Sequence, residues 1–295
     1  MAATIQIRMT KMSFNARAIA LFLLLAALLW AAPLSAQVAD GDRHYARRAE
    51  GAQGARARAE QIEAAIAAYQ RGIAQNPNDL EAHWKLLRAY RFKGAYVAVD
   101  NEQKKQVYGT AKAAGEKALG VVNARLRVTP RSPEQQVAAA ARAVPGAGEV
   151  FLWDAVNWGE WALAYGKLAA ARQGAADRIL RQATIANLID PRMEQGSPAR
   201  VLGRLHDQTP RIPLITGWAS SKDAVRFLRE SLKFDAKNKI TLVFLAEAMV
   251  SAGSATKQQA VTMLQEIVTA PIDPNYSVED AAAVADARAL LAKWK

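Results

Sequence analysis

The sequence predicts an all-α protein in which helix–turn–helix pairs stack into an α-solenoid. Alanine is abundant, and apolar residues recur at three- and four-residue spacing over most of the chain. No run of alternating β-branched residues indicates a strand. Two segments, residues 65–94 and 224–253, place small and large residues at matching offsets, which is typical of a structural repeat.

The first of these segments contains the junction between two helices, which we predict over residues 58–75 and 79–92. Small residues let two helix backbones approach closely, an aromatic residue fills the groove between them, and a proline ends the first helix. The positions concerned are Ala65, Tyr69, Gly72 and Pro77 in the first helix and His83, Trp84, Leu86, Tyr90 and Gly94 in the second. These offsets resemble the tetratricopeptide repeat, a 34-residue unit that stacks into curved binding surfaces.

The same periodicity predicts the remaining elements in chain order. A glycine-containing break over residues 51–54 follows the helix predicted over residues 40–48. A loop with two prolines separates the middle of the chain from the second repeat segment. Ser197 and Pro198 are typical of a helix start, as N-cap and first helical residue. We expect helices over residues 40–48, 107–127, 151–169, 177–189, 197–207 and 278–294, a short helix from Pro133, and a loop over 209–217. The last helix is amphipathic and suits the end of a stack.

Residues 1–36 are predicted to be a signal peptide. Three basic residues precede the apolar run 18–32, and small residues around Ala36 suit a signal peptidase. The apolar run is shorter than the ~20 residues that span a bilayer, although an uncleaved membrane anchor is the alternative. We therefore expect a polar segment with a short helix over 37–57, followed by an α-helical domain over 58–295, all exported to the periplasm.

Composition narrows the classes of partner. The chain contains no cysteine, which excludes disulfides, thiolate metal sites and a lipid-modified N-terminal cysteine. Its net charge is +12, and removal of the signal peptide lowers it to +9. The basic residues are scattered, which favours a solvated surface over a nucleic-acid partner, and a specific anionic partner is the alternative. No second apolar run is long enough to span a membrane after cleavage.

Three segments in succession resemble the periplasmic T-component family of tripartite ATP-independent (TRAP) transporters. They are the repeat segment 65–94, the aromatic helix 151–162 (FLWDAVNWGEWA) and the stretch 196–205 (GSPARVLGRL). The resemblance extends over residues 40–295. It implies a tetratricopeptide-like protein that accompanies the substrate-binding component of the transporter. Many members look like lipoproteins, whereas this chain lacks the necessary cysteine.

The aromatic helix supplies four candidate binding residues, Trp153, Asn157, Trp158 and Trp161. Trp158 and Trp161 are three residues apart and share a helix face, whereas Trp153 lies about 80° from Trp161 around the axis. One interpretation is that all three rings pack in the core. The other is that one or two line a groove for a lipophilic or partly apolar ligand, to which Asn157 gives a directional hydrogen bond.

Arg200 and Arg204 are the other candidate binding residues. They are four apart, so they are neighbours on a helix surface near its N-terminus, where anions are favoured. Either each pairs with a structural acid such as Asp190 or Glu194, or the two receive an organic carboxylate. Gly203 lies between them and costs about 1 kcal/mol in a helix, which predicts close helix packing there.

The sequence contains no arrangement that favours catalysis. There is no cysteine, G-x-S-x-G elbow, H-E-x-x-H motif or Gly-rich phosphate loop, and His44, His83 and His206 are too far apart for a local metal motif. We therefore predict a protein without catalytic residues, metal or cofactor, and an enzyme is the least favoured hypothesis.

The favoured hypothesis is a non-enzymatic periplasmic binding protein. It would be the accessory T component that docks a TRAP substrate-binding protein or holds a small organic-acid or lipophilic ligand, alone or as a homo-oligomer. The alternative is a general periplasmic scaffold for envelope assembly that binds peptide segments. Trp84 and Arg88 stand where a carboxylate-clamp repeat would have lysine and asparagine, which disfavours that mode of peptide binding.

Overall fold

A computed structural model describes residues 34–129, 131–253 and 256–294. Over these ranges the chain forms thirteen α-helices and no β-strand, which confirms the all-α prediction. The predicted signal peptide lies outside the described residues, except that 34–36 begin the first helix. No helix in the described ranges has both the length and the apolar composition needed to cross a membrane.

The helices follow one another through short connections. In chain order they are α1 Leu34–Ala46, α2 Ala59–Gln75, α3 Leu80–Phe92, α4 Asn101–Arg125, α5 Glu134–Ala141, α6 Ala147–Tyr165, α7 Lys167–Arg172, α8 Ala175–Ile189, α9 Met193–Gln208, α10 Ser221–Ser231, α11 Lys239–Ala252, α12 Lys257–Thr269 and α13 Ser277–Trp294. A π-helical turn, Lys93–Val97, continues α3, and a 3₁₀ turn, Pro274–Tyr276, precedes α13.

Capping explains why several helices begin where they do. The Asp79 carboxylate accepts hydrogen bonds from the backbone N–H groups of Glu81 and Ala82, which fixes the start of α3. Asp100 likewise caps α4, which begins at Asn101, six residues before the predicted start at 107. The predicted helix 151–169 is wrong at both ends. The observed helix α6 begins at Ala147 and ends at Tyr165. Gly166, with φ at 88°, separates it from α7.

Neighbouring helices pack together along the array. Helices α1 to α4 pack in succession, and so do α8 to α13. The middle is less regular, because α6 contacts α3, α4 and α8 while α5 packs against α8. The two predicted repeat pairs, α2–α3 and α10–α11, are therefore both present as packed helix pairs.

The two ends of the array are in contact. Arg48, just after α1, donates from Nη2 to Glu279 Oε1 and to the Asn275 carbonyl, both at 2.8 Å. Val278 of α13 is fully buried in the same apolar cluster as Val38 and Phe92. An ion pair and an apolar contact thus join the two ends of the array.

Gly203 marks the closest approach of α9 and α10. A Cβ atom at this position would lie 2.5 Å from Leu228 Cγ and 3.0 Å from the Ala224 carbonyl oxygen. The predicted close packing is confirmed, and it explains a glycine in the middle of a helix.

We expect Gly203→Ala to lower the free energy of unfolding by about 1–2 kcal/mol. The overpacking penalty exceeds the gain of about 1 kcal/mol in helix propensity. Urea denaturation measures the difference. Gly120→Ala is the matched control, because Gly120 is an exposed residue of α4 with no neighbouring atom within 4 Å of an added Cβ. It should stabilise the protein by about 0.5–1 kcal/mol, and a similar gain for Gly203→Ala would contradict the packing argument.

Candidate functional site

The three tryptophans of α6 are core residues, each at most 9% exposed. Trp158 and Trp161 share one apolar cluster, with ring centroids 5.5 Å apart, whereas Trp153 belongs to another. The predicted division between two helix faces is confirmed. The indole N–H groups of Trp153 and Trp158 have no hydrogen-bond partner among the described residues. A ligand-lining role for any of these rings stays a prediction.

Trp158 lies between two cations. Lys112 Nζ and Arg178 Cζ each lie 4.4 Å from the centroid of its ring, close enough for a cation–π interaction. Arg178 also pairs at 3.3 Å with Asp154, whose side chain has no exposed surface. Burial raises the pKa of Asp154 to about 6, and the positive charge of Arg178 offsets this only in part.

Asn157 joins α6 to α3. Its amide nitrogen donates to the carbonyl oxygens of Leu87 at 3.0 Å and Trp153 at 2.8 Å. The side chain is fully buried, and its Oδ1 has no partner among the described residues. Because both donors serve the backbone, this amide can offer a ligand only the Oδ1 acceptor.

Arg204 is satisfied by carboxylates, but not by those we expected. Its guanidinium lies 2.6 Å from Glu247 Oε2 and 3.4 Å from Asp207 Oδ2. The partners named from the sequence, Asp190 and Glu194, were wrong. Asp190 pairs with its neighbour Arg192 at 2.9 Å, and Glu194 pairs with an arginine of α3. The true partner, Glu247, belongs to α11 and is remote in sequence.

Arg200 differs from Arg204, because no carboxylate among the described residues forms an ion pair with it. Its Nη1 donates to Thr241 Oγ1 at 3.2 Å, and its Nη2 to the Glu194 carbonyl at 3.4 Å. Burial, together with the charge of Arg91, lowers the pKa of Arg200 to about 10. The guanidinium remains charged at neutral pH and has only two neutral acceptors.

Arg200 belongs to a polar centre that we call the arginine cluster, where side chains of α3, α6, α9 and α13 meet. It consists of Arg48, Arg88, Arg91, Arg200, Glu160, Glu194 and Glu279. Three ion pairs use all its carboxylates: Arg48–Glu279 at 2.8 Å, Arg88–Glu194 at 3.6 Å and Arg91–Glu160 at 3.4 Å. Arg200 forms no ion pair with these three glutamates, although the charges of Glu194 and of Asp235 act on it.

Aromatic rings surround the arginine cluster. The Arg88 guanidinium lies 4.0 Å from the Tyr45 ring centroid and 4.9 Å from that of Trp84. Arg91 donates to the Tyr96 hydroxyl at 2.8 Å, and burial raises the pKa of Tyr96, so this phenol stays neutral. The cluster therefore combines charged groups with flat apolar surfaces, a combination suited to an organic anion.

Unusual backbone conformations bring two parts of the chain to the cluster. The π-helical turn Lys93–Val97 positions Tyr96 beside Arg91, and such turns often occur at functional sites. Glu194, Gln195 and Gly196 form a kink near the start of α9, and the first two have left-handed φ values of 45° and 58°, which non-glycine residues seldom adopt. From this strained turn Glu194 reaches Arg88, and Gln195 donates to the Tyr276 hydroxyl.

Of the seven charged residues of the cluster, the sequence predicted a binding role only for Arg200. Glu194 was named as a pairing acid, and Arg88 only as a departure from the carboxylate clamp. Arg88 and Arg91 are three apart in helix α3, so they lie on one face of that helix. Nothing in the sequence indicates that Glu279 lies beside Arg48. Among the described residues, no group of three or more His, Cys, Asp or Glu side chains could hold a metal ion.

Comparison with protein-family models and with curated proteins found no match for this chain. The resemblance to the T-component family therefore rests on the segments quoted above and remains a prediction.

The raised pKa of Asp154 predicts a pH-dependent stability. Below its ordinary pKa of 3.8 the carboxyl is protonated in both states; between 3.8 and about 6 the folded state binds more protons. This group's contribution to the free energy of unfolding therefore falls as pH rises through that window, by about 1.4 kcal/mol per pKa unit. Asp154→Asn should remove the slope, as measured by urea denaturation between pH 4 and 7.

Asp223→Asn is the control for this experiment. Hydrogen bonds from Arg226 lower the pKa of Asp223. The contribution of this carboxylate to the free energy of unfolding is therefore lost only at acidic pH, as the carboxylate becomes protonated. The difference between this variant and the unmodified chain should stay constant from pH 5 to 7. Equal slopes for the Asp154 variant and the unmodified chain over pH 4–6 would contradict the assignment.

Proposed function

We propose that the chain is a non-enzymatic periplasmic binding protein, the accessory component of a TRAP-type transporter that docks the substrate-binding component. One observation carries the proposal. The two more specific segments of the resemblance, 151–162 and 196–205, form helices α6 and α9, which contact each other. Both supply charged residues to the arginine cluster, Glu160 and Arg200. The segments that resemble the family thus form one site.

The loop between α9 and α10 supplies a docking surface. It exposes three apolar side chains, Ile212, Leu214 and Ile215, and Leu214 is fully exposed at a left-handed φ of 64°. The loop is nevertheless internally bonded, because Thr216 Oγ1 donates to the Pro210 carbonyl and accepts from the Ile212 N–H. Adjacent exposed apolar residues on a fixed projection are typical of a protein contact.

We expect the chain to retain a TRAP substrate-binding protein from the same genome when the two are co-expressed and the complex is isolated by affinity capture. Leu214→Asp should lower the affinity at least tenfold in a titration of the purified pair, because the loop would then bury a charge. Ile272→Asp is the matched control, an exposed apolar residue in the connection before α13.

The outcomes separate two parts of the proposal. No retention of any such partner by the unmodified chain would overturn the accessory role. Retention that is equally strong for Leu214→Asp would keep the role and exclude the loop as the contact surface.

A further inference from the structure

The outer face of helix α10 carries four basic side chains in a row. They follow one another at spacings of four, three and four residues, so they share one face of the helix. All four are exposed: Lys222, Arg226, Arg229 and, in the turn that continues α10, Lys233. The buried residues of α10 lie on the opposite face, which packs against α9 and α11. We call the four exposed cations the basic row.

The charges of the basic row are not balanced within the described part of the chain. Arg226 pairs with Asp223 at 3.0 Å and with Glu230 at 3.9 Å. The other three cations form no ion pair with any described residue. Like charges one helical turn apart repel each other, so the row lowers the stability of α10. Negative groups supplied by another molecule would remove that repulsion.

A recess of about 480 Å³ opens between the side chains of the basic row. It is lined by Lys222, Val225, Arg226, Arg229, Glu230 and Lys233. Such a recess can receive carboxylate side chains, and a guanidinium fork matches the two oxygens of a carboxylate. An anionic bilayer suits it less. Surface helices bind bilayers through an exposed apolar face, and the apolar face of α10 is packed against its neighbours.

The basic row begins beside the loop that we propose as a docking surface. That loop exposes Ile212, Leu214 and Ile215, and the chain runs from it directly into α10. Protein interfaces combine an apolar centre with a polar, charged rim. The loop and the basic row therefore fit one continuous contact surface.

We propose that the basic row is the electrostatic part of the docking surface, and that the partner protein presents an acidic face to it. Carboxylates of the partner enter the recess beside the apolar contact of the loop. Attraction between the two faces acts over a distance and speeds their encounter. This inference rests on the proposed accessory role and names the charge of the face that the partner presents.

The first experiment measures how fast the purified full chain associates with the TRAP substrate-binding protein of the same genome, by stopped-flow fluorescence. The double variant Lys222→Glu with Arg229→Glu should associate about tenfold more slowly at low ionic strength, because the row then repels an acidic face. The difference should shrink as salt is added, since salt screens charges exposed to solvent.

The double variant Lys117→Glu with Lys257→Glu is the matched control. It changes the net charge by the same amount, and both lysines are exposed on other helices, α4 and α12. Neither lysine forms an ion pair with a described residue, and each double variant alters one lysine in the first turn of a helix. The control should associate nearly as fast as the unmodified chain.

The second experiment tests the chemistry of the row without the partner, by calorimetric titration with a synthetic oligoglutamate peptide. The unmodified chain and the control should bind this peptide, and the row variant should bind it about tenfold more weakly. Vesicles of phosphatidylglycerol and phosphatidylcholine should bind the row variant and the control equally.

The outcomes separate this inference from the proposed function. Equal association rates for the row variant and the control would overturn the inference and leave the accessory role standing. Vesicle binding that is lost only in the row variant would assign the row to a membrane surface and would also overturn it. If the unmodified chain binds no substrate-binding protein, the accessory role fails, and oligoglutamate binding that requires the row still supports an acidic partner.

Discussion

The buried ion pair between Arg48 and Glu279 is the interaction on which the interior of this protein depends. Both side chains are about 10% exposed, and they join positions 231 residues apart. Removing either partner would leave a buried charge without compensation, which is far more costly than losing a surface pair. Because Arg48 also lies over the ring of Tyr45, the same contact fixes one of the aromatic groups beside Arg88. One arginine thus takes part both in the contact between the two ends of the array and in the placement of Tyr45 beside the arginine cluster.

The apolar clusters and the ion pairs stabilise different contacts between the helices. The tryptophans of α6 fill two apolar clusters, and Asn157 ties α6 to α3 through backbone carbonyls. The ion pairs of the arginine cluster link elements that are distant in sequence, such as the kink at Glu194 and helix α3. The strained backbone at Glu194 is stable because its surroundings hold it, through Arg88 on one side and Tyr276 on the other.

The sequence predicted what depends on neighbouring residues and missed what depends on distant ones. Apolar periodicity and the Asp79 cap located α2 and α3 to within a residue. The start of α4 was missed because its first six residues are polar and show no apolar stripe, although Asp100 is an effective cap. Similarly, the spacing of Arg200 and Arg204 placed them on one helix face, but their different environments arise from Glu247 and Thr241 of α11. A local pattern carries no information on those tertiary partners.

The contact between the two ends also has a kinetic consequence. Most helix contacts of this chain join neighbours in sequence, which form quickly because little chain must be ordered to make them. The contact between the two ends joins positions 231 residues apart, so it depends on the packing of the helices between them. During synthesis, Glu279 emerges after every helix that lies between it and Arg48. The local helix pairs can therefore pack as they emerge, whereas the contact between the two ends must wait for all of them.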